Sequence, residues 1–314
     1  MFMLTWQFWL ALRRPQTQHP VYRRLFARRR RTRREIVESL LELPAELPFD
    51  LSPLVRSGWR FFRAVALVFV LPAMIVFTYL ATVIFIMAAS LVAIFSPLVL
   101  PVVNTFFGVS VALDASGKIA EEYDRNTYEV LGASPVGRLG IHWMYVTGTY
   151  QQQGTARLGR NGFTIIGIIT ALVGFTSSFV FTIPAPDLSV EIARAAGLAA
   201  FFALDYIQTD VISNLVGMLI PAYLTSQTNT RLIAGGVFIA LQATSYLALL
   251  LIAFVVLPLL FALLDLNAVV AGIAQPLLAL AALYALRAVI IARLWRLIGR
   301  ELGADARELT ALVG

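Results

Sequence analysis

The 314-residue chain has no cysteine, one lysine and two histidines. Without cysteine there are no disulfides, no thiolate metal sites and no iron–sulfur ligation. His19 and His142 stand far apart and lack the acidic neighbours of a ligand cluster, so no metal and no cofactor are expected. Charge is scarce as well: 14% of residues carry one, where a soluble domain has about a quarter. With 59% hydrophobic residues and a mean hydropathy of +0.79, much of the surface must face something other than water. A soluble enzyme, a secreted disulfide scaffold and a disordered chain are excluded. The phosphate-cradling pattern G-x-x-x-x-G-K-[ST] is missing too. Gly117-Lys118 has Ala112 where the leading glycine belongs, and Ile119 follows. The chain is therefore not expected to hydrolyse nucleotides itself.

The net positive charge lies at the N-terminal end. Residues 1–63 hold 13 arginines against five acids. The densest block is Arg28, Arg29, Arg30, Arg31, Arg33 and Arg34. In so apolar a chain this run marks the cytoplasmic side and attracts anionic lipid headgroups; nucleic acid is not expected as a partner. Met1–Leu12 is apolar but too short to span a bilayer, and it lacks the basic start and small-residue cleavage site of a signal peptide. Its Trp6, Phe8 and Trp9 suit an interfacial helix. Arg34–Leu43 reads as an amphipathic helix, with Ile36, Leu40 and Leu43 opposite Glu35, Glu38 and Glu42. Arg56, Arg60 and Arg63 form a basic stripe beside Trp59 and Phe62, at headgroup level.

Ala64–Leu113 is 50 residues without a charge. About 20 residues cross a bilayer, so the run predicts a hairpin of two spans, 64–86 and 91–113, turning near Ala88-Ala89-Ser90. A polar loop, 114–161, follows. Further spans are expected at 162–183, 195–223, 232–262 and 269–291. Gly167, Ala171, Gly174 and Ser178 recur at helical spacing in the third and permit close helix approach. The fold class is thus all-α, a six-span membrane protein. Residues 1–63 form its basic N-terminal segment, 64–296 its membrane domain and 297–314 a cytoplasmic tail. The arginine asymmetry puts both termini and the 114–161 loop in the cytoplasm of a cell whose plasma membrane holds the chain.

The 114–161 loop carries the most informative constellation. Ala120–Leu131 is expected as a helix of mixed charge, with Arg125 able to pair with Glu121 and Glu129 at i, i+4. Tyr128 and Leu131 are its apolar knobs, and Pro135 stops it. Such a helix, held close to the membrane, is a docking surface. Its sequence Glu122-Tyr-Asp-Arg-Asn-Thr-Tyr-Glu-Val-Leu131, followed by Ser134-Pro135 and Arg138, resembles the E-R-E-x-G-T-x-E-x-L…T-P-x-x-R pattern. That pattern belongs to membrane subunits of ABC transporters of the type-2 export class. Glu122, Asp124, Thr127, Glu129, Leu131, Pro135 and Arg138 fit it. Tyr123 and Asn126 depart from it, and Ser134 replaces a threonine. The resemblance covers about 20 residues. It implies a coupling helix, with Arg125 among its residues, docking on a separate ATP-hydrolysing subunit. It also implies a second permease copy or a sister permease.

Two other classes remain open from the residues. Asp205 and Asp210 fall inside the fourth expected span, and intramembrane acids commonly mark ion or proton pathways. That would make the chain an ion-coupled transporter. No basic partner is visible within the span, so both acids are expected near a water-accessible surface. An accessory subunit of a larger membrane assembly would equally suit the uncharged run and the small-residue faces.

Overall fold

A computed structural model describes residues 2–13, 71–125, 127–129, 137–153, 159–162, 164–169, 188–224, 226–305, 308 and 312, with backbone alone for 2–3, 71–75, 81–98 and 188. Several expected features lie outside these residues: the Arg28–Arg34 block, the Arg34–Leu43 helix, the Arg56–Arg63 stripe, Ala171, Gly174, Ser178, Leu131 and Pro135. Every regular element among the described residues is helical. They are α1 (Phe2–Arg13), α2 (Leu71–Asp124), α3 (Gly137–Gln152), α4 (Leu188–Tyr223), α5 (Gln227–Leu251), α6 (Leu257–Leu263) and α7 (Ala268–Glu301). Among the described residues three stretches are long and apolar enough to cross a membrane: Val99–Asp124, Gln227–Leu263 and Ala268–Glu301. The described residues are those of an all-helical membrane protein.

The expected hairpin at 88–90 is absent, because α2 runs through it as one helix of 54 residues. At 1.5 Å per residue that is about 81 Å, well beyond one bilayer. Ala88-Ala89-Ser90 contains no proline, glycine or charge, and alanine is the best helix former. Nothing there ends a helix. At its far end α2 extends past the expected span to Asp124.

Between α5 and α6 the backbone widens into a π-helical turn, Ile252–Val256. Pro258 explains it. Proline has no N–H and its ring crowds the preceding turn, so the helix loosens there instead of breaking. In the wider register Pro258 would donate to the Ala253 carbonyl. Gln275 Nε2 of α7 donates to that carbonyl instead, at 2.8 Å.

Close packing rests on small residues. A Cβ at Gly108 would lie 2.3 Å from the Phe238 ring, and one at Gly217 would lie 2.8 Å from Ala115 Cβ. Such approaches matter in lipid, where apolar burial adds little drive for helices to associate. A Cβ at Gly167 would meet Leu100, so that member of the expected small-residue face does lie against a neighbouring helix.

Residue pairings fix the directions. Asn104 and Gly217 of α2 and α4 meet Asp205 and Ala115 respectively, so these helices run parallel. Pairing of Gly197 with Pro276, and of Asp205 with Arg287, sets α7 parallel to them. Contacts of Gly108 with Phe238 and of Gly117 with Arg231 make α5 antiparallel. The C-termini of α2, α4 and α7 and the start of α5 thus gather at one end of the bundle. Both α1 and α3 pack at that end.

Although α1 was expected to lie at the interface, its Phe8 and Leu12 are buried in the core. The Phe8 ring meets Trp295 edge-on at 4.6 Å and tilts against Trp143 at 6.1 Å. Trp6 remains half exposed. Likewise α3, inside the expected polar loop, is buried at every residue from Leu139 to Tyr150. Its polar side chains are satisfied within the fold: the Thr147 hydroxyl, for example, donates to the Trp143 carbonyl at 2.8 Å. Buried polar groups persist only with such partners.

Candidate functional site

The expected docking segment begins inside α2, which ends at Asp124 instead of continuing to Leu131. The Thr127 N–H closes back on the Glu122 carbonyl at 3.2 Å, a six-to-one bond of the kind that ends helices. The Thr127 hydroxyl also donates to the Glu122 carboxylate. Arg125 pairs with Glu121, as the i, i+4 spacing requires. The register that would carry Arg125 to Glu129 is lost where the helix stops. Asp124, Arg125 and Glu129 are exposed, whereas Glu122 and Thr127 are half buried. Arg138 is exposed at the start of α3.

Under this charged turn lies an aromatic anchor. Tyr128 is buried and stacks on Tyr123 with ring centroids 3.7 Å apart. Its hydroxyl lies 3.0 Å from His142 Nε2, and His142 Nδ1 lies 3.0 Å from the Met218 carbonyl of α4. A carbonyl only accepts, so Nδ1 carries the proton, and Nε2 accepts from Tyr128. His142 is fully buried. Burial lowers its pKa to about 4, the Met218 carbonyl opposes the fall, and Arg138 adds to it. Burial likewise raises the Tyr128 pKa. The imidazole is neutral and serves as a bridge between the turn and α4.

The polar centre of the molecule is further along α4. Asp205, near the middle of that 36-residue helix, is wholly buried. It accepts from Arg287 Nη1 at 2.7 Å, from the Tyr246 hydroxyl at 2.7 Å and from Asn104 Nδ2 at 2.8 Å. Arg287 is equally buried and donates through Nη2 to Gln242 Oε1 at 2.7 Å. Gln242 Nε2 in turn donates to the Thr209 hydroxyl at 2.7 Å. Four helices (α2, α4, α5 and α7) meet in this network.

A second pair stands five residues on. Asp210, also wholly buried, lies 2.5 Å from Arg160 Nη2 and accepts from the Tyr150 hydroxyl at 2.9 Å. The Arg160 guanidinium stacks over Tyr206 at 4.1 Å, and the Tyr206 hydroxyl donates to Asn161 at 2.5 Å. Two expectations are thereby overturned. Both acids have a basic partner, and neither lies at a water-accessible surface. The partners come from elsewhere in the chain, which a search within one span cannot reveal.

Sequence reasoning therefore missed Arg287, Arg160, Asn104, Gln242, Tyr246 and His142. Some signals were present. Asn104 is the only amide side chain in the uncharged run Ala64–Leu113, and Arg287 is the one charge inside the sixth expected span. Gln242 and Tyr246 stand four apart in a span whose other polar side chains are Thr244 and Ser245. The one lysine does not sit in a phosphate loop: Gly117 and Lys118 lie within α2, and Lys118 Nζ donates to Gln152 Oε1 at 2.6 Å.

Comparison with protein-family models, curated proteins and solved structures finds no match. The permease resemblance therefore rests on residues 122–138 and their setting.

Proposed function

We propose that the chain is the membrane-embedded permease subunit of an ATP-driven exporter, moved by a separate ATP-hydrolysing subunit that docks on the segment 120–138. One observation carries this reading. An exposed charged turn (Asp124, Arg125, Glu129) caps the bilayer-length stretch Val99–Asp124 of α2, and its underside is tied through Tyr128 and His142 to Met218 of α4. A solvated loop needs no such anchor. A surface that receives force from a partner does, because movement of the turn must reach the bundle. The turn, the N-terminal helix and the exposed Arg293, Arg296 and Arg300 of α7 all lie at one end of the bundle. That clustering supports a cytoplasmic assignment for this end and for both termini, in a multi-pass plasma-membrane protein. A dimer with a second permease completes the assembly, and anionic headgroups contact the arginines.

The test is affinity purification of the full chain in mild detergent. Wild type brings down an ATPase. Glu129→Lys, which reverses an exposed charge, lowers recovery of that ATPase while leaving the permease folded. Charged contacts buried at an interface cost about 2–5 kcal/mol when one partner is lost. Equal recovery with both proteins would remove the reading.

A further inference from the structure

Between α2 and α5, closed on one side by Phe201 of α4, lies a cavity of about 480 Å³. Its walls come from Val99–Asp124 and Gln227–Leu263, two of the bilayer-length stretches, so its mouth opens at hydrocarbon depth. Val102, Phe106, Ile239 and Leu250 form the mouth and are exposed. Apolar side chains of this size around an opening suit lipid, not water.

Polar groups in the wall are few, and the protein already uses nearly all of their donors. The Gln242 amide donates to Thr209 and its oxygen accepts from Arg287. The hydroxyl of Tyr246 donates to Asp205, and that of Thr105 donates to the Pro101 carbonyl at 2.7 Å. Only the second N–H of Gln242 Nε2 is left over, too little to orient a phosphate, a sugar or a carboxylate. The space falls within the roughly 300–1,000 Å³ of small-molecule sites. Interiors are close-packed, and a void this large forfeits contacts along its whole lining. We infer that the cavity is a binding site for one acyl chain of a bilayer phospholipid, seated against Gln242 and Tyr246. Those two side chains also hold the Asp205–Arg287 pair, so the bound chain keeps water away from it and preserves the low dielectric that strengthens it. This inference rests on the membrane setting of the helices and not on the exporter reading.

The experiment uses the purified full chain in detergent, titrated with a phosphatidylcholine that bears a diazirine midway along one acyl chain. After illumination, adducts are mapped by mass spectrometry. Saturable labelling of Val102, Phe106, Ile239 or Leu250 is expected, exceeding that of the exposed Leu232, Leu247 and Leu263, which lie outside the cavity. Ala243→Trp, which fills the cavity from its own wall, should lower that labelling about tenfold, a loss of about 1.4 kcal/mol in affinity. Labelling at Leu232, Leu247 and Leu263 should not change. Val102→Trp, at the exposed mouth, gives the same readout if Ala243→Trp does not fold. Excess glycerophosphocholine, a headgroup without chains, should not protect. Equal, unsaturable labelling inside and outside the cavity, labelling indifferent to both variants, or protection by the headgroup alone would each overturn the proposal.

Discussion

Replacing Arg287 by methionine removes the one cationic donor of Asp205 and keeps most of the volume. The carboxylate would then face only Asn104 and Tyr246, both neutral, and Gln242 Oε1 would lose its donor. Taking one partner from a buried ion pair costs about 3–5 kcal/mol, because the remaining charge has neither water nor a counter-ion. Both side chains here are wholly buried. The exposed Arg125–Glu121 pair sets the contrasting scale, since its side chains are 50% and 33% exposed. Breaking it costs about 0.3–0.5 kcal/mol. A thermal-stability series in detergent separates the two by nearly tenfold. Arg287→Met should lower the midpoint sharply and Arg125→Met scarcely at all. The double variant Asp205→Asn with Arg287→Met removes both charges together and should recover most of the loss, since neutral replacements of buried pairs are often close to isoenergetic. Arg287→Met at wild-type stability, or a double variant with simply additive losses, would refute the assignment of this pair as a buried, mutually dependent unit.

Two further outcomes follow from local chemistry. His142 is held neutral with its pKa lowered to about 4, whereas an unfolded histidine titrates near 6.5. Between those values the unfolded state binds more protons, so stability should fall as pH drops from about 6.5 to 4, by up to about 3 kcal/mol. Melting curves of wild type and His142→Gln across that range check it: the variant should lose this part of the slope. Gln275→Leu should leave the Ala253 carbonyl without its donor at the π-turn and cost about 1–2 kcal/mol, read from the same melting assay; an unchanged midpoint would mean that the carbonyl finds another partner.

Apolar runs were the most legible part of the sequence. The run expected to span 232–262 lies within the continuous helical stretch Gln227–Leu263. The sixth expected span starts where Asn267 caps α7 by accepting from the Val269 N–H, but the helix continues to Glu301. Arg293, Arg296 and Arg300 extend it because they share one exposed face, so their charges end the apolar run without ending the helix. Composition misled in two places. Without a helix breaker at 88–90, the uncharged run admits one long helix as readily as a hairpin, and α2 runs on through Pro97 and Pro101. In α3 a stretch rich in glycine, threonine and tyrosine looks like a polar loop, yet it is buried, with its polar groups bonded within the helix, as at Thr147, or across the fold, as at His142 and Tyr150. Hydropathy counts the cost of burying a hydroxyl or an imidazole. It cannot count the hydrogen bond that offsets it, since Met218 and Tyr128 lie on different elements from His142.

The same gap between local pattern and tertiary partner bears on the two acids. An ion-coupled carrier needs a carboxylate that can exchange its counter-ion during the cycle. The Oδ1 atom of Asp205 accepts from both Arg287 and Tyr246, and its Oδ2 accepts from Asn104. An ion arriving there would have to displace Arg287, whose guanidinium would then be the unpaired buried charge. Asp210 is in the same position with respect to Arg160. Exchange without that penalty requires a second buried acid for each arginine to turn to. Among the described residues Asp205 and Asp210 are the only buried acids, and each is already taken. The pairs join α4 to α7 and to residues 159–162, which makes them fastenings of the bundle and weighs against reading them as an ion path.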